Sequence, residues 1–223
     1  MSELRIALFD FDGTLCDSAA SIIRITQKAC HDVGVPIPSE EMIRENIGEG
    51  LFVAGCNYAS GDEAKAQEIF DTYRAHARTE LAKTDKPVDP LFPGAKQALI
   101  DLAADGWLIG IVTNKGRHGL SKMCERHDIA ALIDVSYTAD DVTVKPAPDM
   151  AMAAIAHFGI AADRAVMIGD TANDALCASG ANIAFMGVDW GYHDNAILRG
   201  HGAVHIATDF VNLTQTLNKL VPA

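Results

Sequence analysis

The chain has 223 residues, of which 49% are hydrophobic and 22% charged, and its formal net charge is −12. This length suits one domain, or a domain that carries a large insertion, with a sizeable buried core. The negative charge argues against nucleic acid and anionic membranes as partners. It leaves room for a phosphorylated small molecule, because a metal ion and a few lysines make a site locally positive. The sequence predicts neither a signal peptide nor a membrane span.

Five cysteines are scattered along the chain without a Cys-x-x-Cys or zinc-binding spacing, and they are Cys16, Cys30, Cys56, Cys124 and Cys177. An odd, dispersed set fits free thiols in a reducing compartment better than a disulfide framework. The eight histidines are dispersed as well, which disfavours a histidine metal site. We therefore expect a cytoplasmic protein.

The first predicted element is a short buried strand, an apolar run from Leu4 to Phe9 that ends abruptly in Asp10-Phe11-Asp12-Gly13-Thr14. Residues 16–88 then show helical periodicity with hardly any strand signal. Within this block, Gly48-Glu49-Gly50 interrupts one helix, and residues 62–83 have the pattern of a long, charged amphipathic helix. We predict a separate all-helical segment over residues 16–88, inserted after the first strand.

From residue 89 onward, short apolar runs alternate with helical patterns. Further strands are predicted at about 107–112, 132–137, 165–168, 183–186 and 204–206. This alternation is typical of an α/β fold with a doubly wound, parallel, Rossmann-like sheet, to which the first strand also belongs. We therefore predict that residues 1–15 and 89–223 together form this α/β core.

Two carboxylates follow the first strand, and Asp10 and Asp12 lie on the same side of an extended chain. Such a pair resists joint ionisation unless a cation relieves the repulsion, and Mg²⁺ binds through one or two carboxylates, waters and substrate phosphate oxygens. Gly13 allows a sharp turn, and Thr14 supplies a hydroxyl donor. The simpler interpretation of this segment alone is a strand followed by an acidic turn.

Polar side chains also follow two later strands. Thr113-Asn114 ends one apolar run, and Asp170 ends another, with Asp174 four residues further on. Alone, these residues are explained by helix capping, and a loop residue such as Lys145 by solvation. Because ligands bind outside the carboxyl ends of strands in an open parallel sheet, we expect all of them to converge on one edge.

In this order, the motifs resemble those of the haloacid dehalogenase superfamily of phosphohydrolases, which carry D-x-D-x-[TV], then Ser/Thr, then Lys, then GD-x-x-x-D. Leu91-Phe92-Pro93-Gly94, Val112-Thr113-Asn114-Lys115 and Gly169-Asp170-Thr171 are most similar to the phosphoglycolate phosphatase branch. The resemblance implies a Mg²⁺-dependent phosphatase that hydrolyses a small phosphorylated metabolite through an aspartyl-phosphate. It also implies that residues 16–88 are a small, all-helical cap domain on a catalytic core of residues 1–15 and 89–223. Monomer and homodimer both stay open.

The resemblance also implies roles for individual residues. Asp10 would be the nucleophile, Asp12 the general acid and base, and Lys145 a catalytic cation beside them. The phosphate-binding residues would be Phe11, Asp12, Thr113, Asn114 and Lys145. Mg²⁺ would be held by the carboxylates of Asp10 and Asp170 and the backbone carbonyl of Asp12, with Asp174 at or just behind these ligands.

Several alternatives stay open at this point. A β-phosphoglucomutase-like sugar-phosphate mutase, a pyrophosphatase and a nucleotide phosphatase use the same motifs with a different cap. A dehalogenase and a phosphonate hydrolase are disfavoured, because neither needs the second acid that Asp12 supplies. From a different class, a phosphoacceptor signalling module also uses acids, Mg²⁺, Thr and Lys on a doubly wound sheet. Its acceptor should sit on a central strand, without a large cap.

Overall fold

The computed structural model describes residues 4–223, so residues 1–3 of the predicted core segment lie outside it. Within this range, six strands form one sheet: β1 (Ile6–Phe9), β2 (Leu108–Thr113), β3 (Val135–Thr138), β4 (Ala165–Gly169), β5 (Ala184–Val188) and β6 (His205–Ala207). Their order is β3-β2-β1-β4-β5-β6, and every neighbouring pair is parallel. The predicted doubly wound α/β fold is therefore confirmed, and its switch point lies beside β1.

Helices connect these strands. They are α1 (Ala19–Val33), α2 (Glu40–Glu45), α3 (Leu51–Tyr58), α4 (Glu63–Ala82), α5 (Ala95–Ala104), α6 (Arg117–Arg126), α7 (Asp149–Phe158), α8 (Ala172–Gly180), α9 (Asn195–Gly200) and α10 (Phe210–Leu220). The strand predicted from residue 132 begins at Val135 instead, because Ala130–Leu132 is a 3-10 turn from which Leu132 packs against the core. Across residues 4–223, no helix is long and apolar enough to cross a membrane.

Both faces of the sheet are covered. Ala7 and Phe9 of β1 belong to a hydrophobic cluster with residues of α5, α6 and α10. Ile6 and Leu8, which point to the opposite face, belong to a second cluster with residues of α7, α8 and α9. Burial on both faces explains why the strands appear in the sequence as continuous apolar runs instead of alternating patterns.

Helices α1–α4, here called the helical unit, have a hydrophobic cluster of their own. It contains Ile23, Cys30, Ile43, Ala54, Tyr58 and Ile69. The predicted break at Gly48-Glu49-Gly50 lies in the connection between α2 and α3, where Gly48 has a φ of +96° that favours glycine. A Cβ at Gly48 would lie 2.7 Å from Thr171 Cγ2, so this connection approaches the sheet closely. The domain boundaries themselves stay a prediction.

Candidate active site

The carboxyl ends of three adjacent strands meet at the switch point. Asp10 directly follows β1, and its backbone N–H donates to the Ile168 carbonyl of β4 at 2.9 Å. Asp170 directly follows β4, and Thr113 is the last residue of β2. Because β1 lies between β2 and β4, the parallel pairing places these side chains at one edge of the sheet.

Three buried carboxylates form a cluster at this edge. Asp10, Asp170 and Asp174 each offer an oxygen, and these oxygens lie within 4.8 Å of one another. Asp170 is held in place by two donors, since Thr14 Oγ1 donates to its Oδ1 and the Tyr192 backbone N–H donates to its Oδ2, both at 2.9 Å. The polar strand end predicted from the sequence is thus an acidic cluster of fixed geometry.

Lys145 is buried against two of these carboxylates. Its Nζ lies 2.9 Å from Asp10 Oδ1 and 2.5 Å from Asp174 Oδ1, and its side chain is only 1% exposed. The other oxygen of Asp174 accepts hydrogen bonds from the backbone N–H and the hydroxyl of Thr171. The Thr171 hydroxyl oxygen in turn accepts from the Asp174 backbone N–H at 3.4 Å, which completes the capping box of α8. Asp174 therefore fixes the position of Lys145 while it caps a helix.

The cluster carries more negative than positive charge. Burial raises the pKa of Asp10 to about 6, even though the adjacent Lys145 ammonium opposes the shift, and the charge of Asp174 adds to it. Burial, followed by the charges of Asp174 and Asp10, raises the pKa of Asp170 well above its ordinary value. Burial lowers the pKa of Lys145, but the two neighbouring carboxylates outweigh this effect and raise it. One lysine thus leaves three close carboxylates incompletely compensated.

A hard divalent cation fits this cluster. Mg²⁺ prefers oxygen ligands and is commonly held by one or two carboxylates. Asp10 Oδ1 is buried and, among residues 4–223, accepts no hydrogen bond of regular geometry, although Lys145 Nζ lies nearby. This oxygen and the two neighbouring carboxylates together form a set of oxygen ligands that suits a divalent cation.

The carboxylate of Asp12 lies apart from the acidic cluster. Lys115 Nζ lies 2.9 Å from its Oδ1 and 3.1 Å from its Oδ2, and the Ser18 hydroxyl donates to Oδ1 at 2.6 Å. The Asp12 side chain is 15% exposed, so this carboxylate is reachable from the cavity beside it. The two acids of the first motif therefore have different environments, as separate chemical roles require.

Asn114 acts as a clamp on the segment that carries Lys145. Its Oδ1 accepts from the Lys145 backbone N–H at 2.8 Å, and its Nδ2 donates to the Lys145 carbonyl at 2.9 Å and the Gly48 carbonyl at 3.0 Å. These bonds engage the side-chain amide. The side chain of Phe11 is fully buried in the sheet core. Asn114 and Phe11 can therefore offer a phosphate only their backbone N–H groups. The Thr113 hydroxyl lies at the cavity and accepts from the Lys115 backbone N–H at 3.3 Å.

The family model for haloacid dehalogenase-like hydrolases matches residues 7–188, which span the whole described edge of the sheet. The chain belongs to this family. The predicted membership of the haloacid dehalogenase superfamily is thereby confirmed.

Relatives of this haloacid dehalogenase-like hydrolase are named as phosphatases. A phosphoglycolate phosphatase of Yersinia pseudotuberculosis is 32% identical over 208 residues, covering 89% of this chain and 87% of the relative. A phosphoglycolate phosphatase of Vibrio cholerae is 28% identical over 217 residues, with 95% and 94% covered. A solved haloacid dehalogenase-like family hydrolase from Streptococcus pneumoniae superposes with a TM-score of 0.82 at 25% identity, covering 97% and 99%. The predicted enzyme class, a phosphatase, and the likeness to the phosphoglycolate phosphatase branch are confirmed.

Sequence reasoning missed several residues of this hydrolase site. Lys115 is one of them. It directly follows Thr113-Asn114 in the quoted motif, and this position next to a strand end was a signal that could have identified it. The backbone N–H of Tyr192 donates to the Asp170 carboxylate, and the only sequence signal for this contact was an aromatic segment after the fifth strand. Asn173 donates from its amide to the Gly48 carbonyl at 3.2 Å, a contact between residues 125 apart that no local pattern predicts.

Proposed function

We propose that this haloacid dehalogenase-like phosphatase hydrolyses a small phosphorylated metabolite with Mg²⁺, through a phosphoenzyme at Asp10. The observation that carries the proposal is the buried cluster of Asp10, Asp170 and Asp174 at the switch point, with Lys145 in contact with two of them. Phosphoryl transfer requires a nucleophile, a cation site and a fixed positive charge, and this buried edge of the sheet brings all three together.

Mg²⁺ would be held by the carboxylates of Asp10 and Asp170 and by the backbone carbonyl of Asp12. When bound, the ion screens the anionic nucleophile from the anionic phosphoryl group and stabilises charge on the transferring oxygens. Asp174 engages Lys145 and the N-terminus of α8 with its two oxygens, which supports a role just behind the ligands. Thr14 and Tyr192 keep the Asp170 carboxylate oriented toward the cluster.

In the first step, a carboxylate oxygen of Asp10 forms a bond to phosphorus while the bond between phosphorus and the leaving oxygen breaks. Asp12 gives its proton to that leaving oxygen. In the second step, Asp12 takes a proton from water, the water oxygen bonds to phosphorus, and inorganic phosphate leaves as the Asp10 carboxylate is restored. Lys115 and the Ser18 hydroxyl hold Asp12 in place for both proton transfers.

The phosphoryl oxygens would be stabilised by one ammonium, one hydroxyl and several backbone N–H groups. These donors are Lys145, Thr113, and the backbone of Phe11, Asp12 and Asn114. Donors that are fixed before the reaction stabilise the transition state without reorganisation at the moment of transfer. The double clamp of Asn114 on the Lys145 backbone supports this preorganisation.

We assign the helical unit as a cap over residues 16–88, with the core formed by residues 1–15 and 89–223. The connection between α2 and α3 supports this assignment, because the Gly48 carbonyl accepts from the side-chain amides of both Asn114 and Asn173. These bonds join the helical unit to the segment after β2 and to the first turn of α8. Closure of the cap would exclude water during transfer.

The names of the relatives make 2-phosphoglycolate the first substrate to test, together with hexose phosphates, nucleoside monophosphates and pyrophosphate. This panel also separates a phosphatase from the mutase, pyrophosphatase and nucleotide phosphatase alternatives. The five cysteines are all free thiols, which supports the expected cytoplasmic location.

The deciding experiment measures phosphate release from this panel with Mg²⁺ for wild type, Asp10→Asn and Asp128→Asn. Asp128 is an exposed acid in the left-handed region, where asparagine is well tolerated, so it is a matched control. We expect no turnover by Asp10→Asn and wild-type turnover by Asp128→Asn. Substantial release by pure Asp10→Asn protein, or none by wild type, would overturn the proposal. A phosphoenzyme that persists far beyond seconds would favour a signalling module instead.

A further inference from the structure

We infer that the leaving group bound by this site carries an apolar body of several carbon atoms, larger than the two-carbon acid of 2-phosphoglycolate. The inference rests on the proposed function and names the substrate class of the same site. It follows from the size of the cavity above the acidic cluster, from the chemistry of its walls and from its balance of charge.

A large cavity lies between the strand ends and the helical unit. Its volume is about 420 Å³, and Asp10, Asp12 and Thr113 lie at its floor. Cavities of about 300–1,000 Å³ typically hold ligands of drug size. A phosphoryl group at the floor with only two further carbons would leave much of this space to water.

The helical unit lines the cavity mainly with hydrocarbon. Aliphatic and aromatic side chains from α1, α3, α4 and the connection before α3 form these walls, among them Ile22, Ile25, Ile47, Leu51, Phe70 and Tyr73. Burial of one methylene contributes about 0.8 kcal/mol, which is up to about fourfold in affinity. Contact with these walls therefore strengthens the binding of an apolar leaving group and does not strengthen the binding of a small, hydrated acid.

The charges around the cavity do not select a second anion. The acidic residues of its lining are Asp10, Asp12, Glu49, Glu80 and Asp89, and the basic ones are Arg74, Arg78, Lys115 and His118. Arg74 is paired with Asp140 at 2.8 Å, and Lys115 is paired with Asp12. Two of the other acids are paired as well, Asp10 with Lys145 and Glu80 with Arg24 and Lys83. Arg78 is exposed to solvent. The groups outside these pairs are Glu49 and Asp89 on the acidic side and Arg78 and His118 on the basic side, so the lining offers no excess of positive charge to a carboxylate on the leaving group.

The helical unit also presents a polar group to the substrate. The Tyr73 side chain lines the cavity, and its hydroxyl makes no hydrogen bond with any residue of the 4–223 range. A hydroxyl or carbonyl on an otherwise apolar leaving group would provide the missing partner. Tyrosine often combines apolar contact area with one such polar contact.

The test compares primary alkyl phosphates, whose leaving groups differ in length. We would measure kcat/KM with Mg²⁺ for ethyl, butyl and hexyl phosphate and for 2-phosphoglycolate, and the dissociation constants of ethyl- and hexylphosphonate by calorimetry. The expected hexyl-to-ethyl ratio is at least about tenfold in both measurements, since four methylenes at up to about fourfold each allow far more. Hexyl phosphate should also exceed 2-phosphoglycolate.

A matched pair of variants localises the effect to the cavity. Ala77 of α4 lines the cavity, whereas Ala75 on the same helix is exposed and does not. Ala77→Phe should lower the hexyl-to-ethyl ratio about tenfold, and Ala75→Phe should leave it unchanged. A flat chain-length series, or a preference for 2-phosphoglycolate over hexyl phosphate, overturns the inference and leaves the phosphatase proposal intact. No hydrolysis of these esters or of any compound in the panel described under the proposed function overturns the phosphatase proposal itself.

Discussion

The buried ammonium of Lys145 offers the sharpest test of how the acidic cluster is held together. Its side chain is 1% exposed and lies 2.9 Å from Asp10 and 2.5 Å from Asp174. Replacement by methionine keeps a flexible, unbranched side chain of similar shape and removes the charge. Lys145→Met therefore leaves three close carboxylates without their nearest positive charge.

The expected loss follows from the burial of the pair. Removing one partner of a buried ion pair costs about 3–5 kcal/mol, because the other charge is left uncompensated. The pKa of Asp10 is already raised to about 6, so without Lys145 this carboxyl takes up a proton near neutral pH and relieves part of the repulsion. We therefore expect about 3 kcal/mol, which for a chain of 223 residues is a fall in Tm of roughly 6–12 °C.

The assay is thermal and urea unfolding at pH 7 with a chelator present. The matched control is Lys122→Met, because Lys122 is 45% exposed and forms only a surface pair with Glu125. It should unfold at the wild-type temperature, since exposed ion pairs contribute little. If Lys145→Met unfolded within about 1 kcal/mol of wild type, the electrostatic account of the cluster would be wrong.

Three further predictions follow from the same edge of the sheet. Asp12→Asn should lower turnover by about 10²–10⁴-fold while Mg²⁺ binding, measured by calorimetry, is kept; near-normal turnover would reject the acid–base role. Gly191→Ala places a Cβ 2.0 Å from Asp170 Cβ, so it should lower the free energy of unfolding by about 1–3 kcal/mol and weaken Mg²⁺ binding. The control is Gly200→Ala, whose Cβ meets nothing within 4 Å and which should change neither quantity. Because burial raises the pKa of Asp10 to about 6 and also raises the pKa of Asp170, calorimetry in buffers of different ionisation enthalpy should detect more protons released on Mg²⁺ binding at pH 5.5 than at pH 8; equal release at both would contradict this.

The fold and the meeting of the motif residues were predictable from the sequence because both depend on regular structure. Apolar runs buried on both faces mark parallel strands, and parallel strands bring their carboxyl ends to one edge. That rule alone places Asp10, Thr113 and Asp170 together. The helical block was equally visible, because its periodicity and the glycines at 48 and 50 are local signals.

The remaining contacts were hidden because they depend on loop paths and on how the helical unit meets the core. Lys115 contacts Asp12 across 103 residues, and Asn173 contacts Gly48 across 125. The periodicity of helices and strands does not predict contacts between residues so far apart in the sequence. The side-chain amide of Asn114 illustrates the same limit, since it clamps the Lys145 backbone, an interaction that residue type alone does not reveal.

The most direct test of the mechanism is to identify the acid that carries the phosphoryl group. Borohydride reduces an acyl phosphate to the alcohol, so quenching the enzyme during turnover of its best substrate would convert a phosphorylated aspartate into homoserine. Peptide mass spectrometry should then find homoserine at position 10 and at no other acid. Homoserine at Asp12, Asp170 or Asp174, or unmodified peptides throughout under active turnover, would contradict the nucleophilic role of Asp10.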